Sequence, residues 1–163
     1  MSTPVPKFIV RRTVVDVAAE ATYTHPLNPA ARRRSISLGD AAGLTLLGVH
    51  LTVIAPGDLS TESHRHEFCD EFIYVLSGSG EVLLDDVPHD IRAGDFIGFP
   101  ANAVAHVLRN TGAEDLVYLM GGGRPNFDVC HYPRLDKRLY LHVSPQGRWR
   151  DFVDNADLDQ RGP

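Results

Sequence analysis

HRHEFCDEFIYVLSGSGEV (His64–Val82) sets two histidines one residue apart, then a glutamate, then a strand-like apolar run. On an extended segment side chains alternate, so His64 and His66 project from one face with their imidazoles about 6 to 7 Å apart. Two nitrogens at that separation can meet one metal ion. Glu71 opens the next expected strand, from which its carboxylate can return to the same point. Within EFIYVLS, Glu71, Ile73 and Val75 share one face while Phe72, Tyr74 and Leu76 share the other. A strand of a lone sheet would alternate apolar with polar, so both faces need cover. A second sheet accounts for one face, and an N-terminal arm or a second subunit for the other. A homodimer is the expectation.

Outward from this stretch, residues 44–120 are short runs rich in Val, Ile, Leu, Phe and Tyr, cut by Gly, Pro, Asn and Asp. Recurrence about every eight to twelve residues marks an all-β sandwich or barrel. Strands are expected at 44–54, 61–67, 71–77, 80–85, 89–91, 95–99, 104–110 and 115–120. Pro56-Gly57, Gly78, Asp86, Gly94, Pro100 and Thr111-Gly112 punctuate them. The flanks read differently. Residues 1–43 hold a possible strand at 8–17 and a Pro-rich extended arm, THPLNPAARRR. Residues 121–163 offer one strand at 137–143 and then a charged, loosely attached tail. The expected organisation is one domain of 163 residues, its core at about 44–120.

Composition narrows the function. At 43% hydrophobic and 23% charged residues, the chain has ordinary globular make-up. A net charge of -5 argues against nucleic acid, and the RRR run at 32–34 reads as a solvated face. Cys69 and Cys130 form no CxxC pair, so reduced thiols are expected. The N-terminus lacks the parts of a secretory signal, and no apolar run is long enough to span a membrane. A cytoplasmic chain with a small-molecule partner is the resulting expectation.

A fourth donor lies in GDFIGFPANAVAHVLRN, where His106 shares a face with Val104 and Leu108. Three imidazoles and a carboxylate suit Fe, Mn, Ni, Co or Zn, with open positions for water, substrate or dioxygen. Together the two stretches resemble the paired motifs of the cupin superfamily. Gly57, His64, His66, Glu71 and Gly78 match the first motif; Gly94, Pro100, His106 and Asn110 match the second. Six residues stand between Gly57 and His64 where five are usual, an extra residue precedes His106, and Asn102 replaces an expected glycine. The resemblance implies a double-stranded β-helix, or jelly-roll, barrel with one divalent metal per chain in its wider mouth. NPAARRR, GLTLLGVHL and VCHYPRLDKRL further resemble a group of small bacterial cupins without assigned function.

Other residues receive plainer roles. Glu62, two positions before His64, is expected on the ligand face at the rim, where a carboxylate can act as general base. His50 reads as a hydrogen-bonded core residue and His89 as solvated. His25, His131 and His142 read as surface or satisfied core residues. Asn110 is expected to bond backbone at a strand end. Two functions remain open: a dioxygenase, lyase or decarboxylase acting on a small organic molecule, or a non-catalytic module that binds a sugar or organic acid. A sugar isomerase ranks lower, because the strands offer few polar or basic groups to a cavity.

Overall fold

The structure is a computed structural model that describes residues 6–11, 16–17 and 20–159. Its elements are β1 (Tyr23–His25), β2 (Asn28–Ser37), α1 (Leu38–Ala41), β3 (Leu47–Ile54), β4 (Arg65–His66), β5 (Glu71–Ser77), β6 (Ser79–Leu84) and β7 (Val87–Arg92). They continue as β8 (Phe96–Phe99), β9 (His106–Arg109), β10 (Leu116–Gly123), β11 (Phe127–Tyr132), β12 (Lys137–Ser144), β13 (Gly147–Asp154) and α2 (Asn155–Asp159). No described helix is long and apolar enough to cross a membrane.

The strands form a six-stranded sheet ordered β1-β2-β3-β10-β5-β8, a four-stranded sheet β13-β12-β11-β4 and a three-stranded sheet β7-β6-β9. An isolated antiparallel bridge between His64 and His106 joins the two smaller sheets. They thus run on into one wall opposite the six-stranded sheet, and the result is the expected jelly-roll barrel. Between the walls lie Ile54, Ile73, Val75, Val82, Phe99, Leu108, Leu116 and Tyr118, all buried. Burying side chains of this size contributes about 1.5–3 kcal/mol each.

Turn chemistry explains the breaks. Asp85 and Asp86 both have positive φ, as a tight hairpin between β6 and β7 requires. Gly78 has φ of 82°, and a Cβ there would lie 2.5 Å from the Asp115 carbonyl oxygen. Asn102 takes φ of 56°, the left-handed backbone that the glycine it replaces would supply. Asn110 donates to the carbonyls of Ile54 and Glu114 and accepts from the Gly112 N–H, pinning the end of β9 as expected.

Three expectations change. The strand at 61–67 shrinks to Arg65–His66, preceded by bends. There the backbone pairs irregularly, Leu59 donating to Ala30 and Ser60 to Leu108, in a segment rich in Ser and Thr. The arm is no loose cover: β1 and β2 extend the six-stranded sheet beside β3. The C-terminal tail is no tail either, since β13 pairs with β12 along its whole length. Its mostly exposed sequence, GRWRDFVD, hid a strand that buries little of itself. Of the possible strand at 8–17, the described residues are not strand, and 12–15 lie outside the described residues.

Candidate metal centre

Backbone register builds the site. His64 and His106 exchange both backbone hydrogen bonds across the bridge, at 3.2 and 2.8 Å. His66 pairs with Cys130 of β11. Glu71 enters from the opposite wall, paired with Gly122 of β10. A Cβ at Gly122 would stand 3.1 Å from the Glu71 Cγ, so glycine leaves that side chain its room.

The four expected donors converge. The Nε2 atoms of His106, His66 and His64 lie 3.2, 3.4 and 4.0 Å from one oxygen of Glu71. Support behind the rings sets their tautomers. His64 Nδ1 lies 2.9 Å from the Glu62 carbonyl oxygen and His66 Nδ1 lies 2.5 Å from Asp128. Both acceptors lack protons, so each Nδ1 carries one and each Nε2 is the atom turned toward Glu71, free to ligate once any second proton is displaced. His106 stacks on Phe99 with ring centroids 3.6 Å apart, its Nδ1 buried without a partner among the described residues.

Electrostatics favour a cation. Burial, then the neighbouring His106 imidazole, hold His64 neutral, its pKa lowered to about 3. Burial alone would raise the Glu71 value, but the His106 hydrogen bond and the three imidazoles lower it to about 2. Burial would also lower His66, yet its hydrogen bonds to Asp128 and Cys130 and the Glu71 charge push it up to about 11. A carboxylate among imidazoles with outward supports is a donor set that fits a divalent transition metal. His64, His66, Glu71 and His106 would hold it.

Residues beyond the motifs complete the centre. Asp128, 4% exposed, takes the His66 proton on one oxygen and the Phe68 N–H on the other. This is the carboxylate–histidine support common behind metal ligands. Cys130 Sγ lies 3.3 Å from the same His66 nitrogen, and burial pushes its thiol up, keeping it protonated. Neither residue stood out in the sequence, because β11 reaches His66 only through long-range pairing. Cys69 donates to the Gly123 and Asp70 carbonyls, a packing role.

Glu62 is not at the rim. It is 4% exposed, accepts from Asn28 Nδ2 at 2.5 Å, and lies 4.0 Å from Arg134. Period-2 parity does not carry back from His64 through the bends at 60–63. The cavity beside the donors, about 280 Å³, is lined instead by Ser60, Thr61, Tyr118 and Tyr132, with Tyr23, His25, Arg33 and Arg150. His25 is thus a buried cavity residue supplied by the arm, and Tyr132 stacks on His64 at 5.8 Å.

These shifts give the metal-free chain a stability maximum near pH 6.5. Below it, the unfolded chain protonates His64 while the folded chain resists down to about pH 3, so stability falls with acid. Glu71 adds a loss of the same sign between 4.5 and about 2. Above pH 6.5, folded His66 keeps a proton up to about 11 that the unfolded chain releases, so stability falls with alkali. Each group contributes up to about 1.4 kcal/mol per pH unit. Urea midpoints across this range should peak near neutrality; a steady rise from acid to alkali would contradict the assignment.

A jelly-roll barrel with three histidines and a carboxylate gathered beside an internal cavity defines a class of β-barrel with a possible metal site. Residues 50–122 match the cupin domain family. A crystal structure from Acidithiobacillus ferrooxidans, named as a candidate sugar phosphate isomerase, is 41% identical with a TM-score of 0.85, covering 93% of this chain and 94% of that one. Protein SchB of Streptomyces halstedii is 38% identical over 100 residues, 60% of this chain and 71% of that protein. Dimethylsulfoniopropionate lyase DddW of Ruegeria pomeroyi is 31% identical over 109 residues, 67% of this chain and 69% of that protein. The chain belongs to the cupin superfamily.

Proposed function

We propose that this chain is a metal-dependent cupin enzyme that acts on a small oxygenated molecule, as a lyase or an isomerase does. The observation that carries this reading is the convergence of His64, His66, His106 and Glu71 beside a cavity ringed by polar groups. A divalent ion held there would supply Lewis acidity toward a substrate oxygen. Burial raises the phenols of Tyr118 and Tyr132, which therefore stay protonated and donate to charge developing on that oxygen. Glu62 acts as a positioning residue, its backbone carbonyl orienting His64.

Tyr23, His25, Arg33 and Arg150 on the cavity wall remove the reason for ranking an isomerase below a dioxygenase. The names of the lyase and candidate isomerase relatives lend support. Metal-loaded protein in heavy water, without oxygen, tests the reading against small phosphorylated sugars and hydroxy acids. Deuterium wash-in beside the carbonyl, or product formation, is expected and should cease on metal removal. Turnover only with oxygen would favour the dioxygenase reading, and binding without exchange the non-catalytic one. A reducing cytoplasm suits the two buried free thiols.

We also infer a homodimer. On the outer face of the six-stranded sheet, Phe96 is 65% exposed, Leu76 43% and Tyr74 40%, with Phe72 stacked on Phe96. The described strands of the arm, β1 and β2, join the sheet edge beside β3 and do not cover these residues, an apolar stripe that a lone barrel would not favour. Sedimentation at micromolar concentration should show a species of twice 17.9 kDa, and a pure monomer would decide against it.

A further inference from the structure

We propose that Arg33, Arg150 and His25 form an oxyanion subsite in the cavity, which takes the phosphate or carboxylate end of a substrate whose other end reaches the metal donors. This rests on reading the cavity as the substrate site.

The Arg32–Arg34 run explains how a guanidinium reaches the interior. Alternation along β2 sends Arg32 and Arg34 one way, toward Asp58 at 4.0 Å and Asp115 at 2.9 Å. Arg33 turns the other way, into the cavity wall. Its Nη1 donates to the Ser60 carbonyl at 2.5 Å, and its guanidinium lies 4.9 Å from the Tyr23 ring centroid. Among the described residues no carboxylate stands within 4.0 Å of it. A half-buried, permanently charged group held in place without a counterion is prepared to receive one.

Arg150 arrives from a separate strand. It pairs with Leu141 across β12 and β13, on the face that carries the cavity-lining residues, and it too has no carboxylate partner among the described residues. His25 adds a directed donor. The Leu27 N–H donates to its Nδ1 at 3.2 Å, so the proton sits on Nε2. Burial and the Arg33 charge keep this ring neutral, against the opposing charge of Glu62. Glu62 itself is engaged by Asn28, and Glu71 faces the imidazoles, so neither carboxylate cancels the arginines. Both arginines also line an adjoining cavity with Ser35, Ser37 and His50, which extends the polar ground around the subsite.

Calorimetric titration of the full chain with inorganic phosphate and, separately, with acetate tests the subsite. Phosphate is expected to bind, and to do so with or without zinc, because the donors belong to the chain. Arg33→Gln and Arg150→Gln should each weaken it at least about tenfold, the scale of one charged hydrogen bond, with zinc content unchanged. Arg33→Lys, which keeps the charge and a donor for Ser60, should recover part of the affinity and controls for misfolding. Stronger binding of acetate than phosphate would identify a carboxylate as the natural group. Wild-type phosphate affinity in both glutamine variants, binding that vanishes when zinc is removed, or no binding of either anion would each overturn the proposal. The titration reads binding alone, so failure to find turnover would weaken the enzymatic reading and leave this result standing.

Discussion

His66→Ala is expected to abolish stoichiometric metal binding. His66 Nε2 lies 3.4 Å from the shared Glu71 oxygen, and its Nδ1 is held by Asp128. The substitution removes one of four donors and strands a buried carboxylate behind it. Losing a supporting residue alone costs roughly 10- to 100-fold in metal affinity, and losing a ligand should cost more. Elemental analysis of protein purified without a histidine tag reads the content directly. Thermal denaturation gives a second reading, because a metal at a thousandfold excess over its dissociation constant stabilises by about 4 kcal/mol. Wild type should gain that shift with added zinc, and His66→Ala should not. Stoichiometric metal in a His64→Ala/His106→Ala double variant would sink the donor assignment.

Asp128→Ala should weaken metal binding roughly 10- to 100-fold while leaving all four ligands in place. The carboxylate does two things at once. It accepts the His66 Nδ1 proton, which aims the Nε2 lone pair at the site, and it accepts the Phe68 N–H, which ties the loop after β4 to β11. Asp128→Asn can still accept from Nδ1 through its amide oxygen but lacks the charge, so an intermediate affinity is expected. Zinc competition against a chromophoric chelator would order the three proteins; equal affinity for wild type and Asp128→Ala would remove Asp128 from the site. By contrast, Glu62→Gln should leave metal content unchanged, because His64 is held by the Glu62 backbone carbonyl and not by its carboxylate.

The barrel was legible because alternation and turn chemistry are local. β5 spans Glu71–Ser77 as EFIYVLS implies, with Ile73 and Val75 buried and Tyr74 and Leu76 exposed. The ligands were legible for a related reason: the pairs that carry them are short in sequence and repeat a spacing that one face of a strand imposes. Three imidazoles and a carboxylate at those places could be named before their partners were known. Glu62 marks where this logic stops, since parity holds only while the chain stays extended, and bends precede His64.

What surrounds the ligands was decided by tertiary pairing. Asp128 and Cys130 stand 62 and 64 positions from His66 and meet it because β11 lies beside β4. His25, Arg33 and Arg150 come from two flanks that look polar and loosely ordered in sequence, yet β1, β2 and β13 place them on the cavity wall. No local spacing marks them as cavity residues, because a side chain's surroundings depend on which strands become neighbours. That choice is made by burial and hydrogen bonding across the whole barrel. Local residue order names the metal donors; the assembled sheets determine what a substrate would meet beside them.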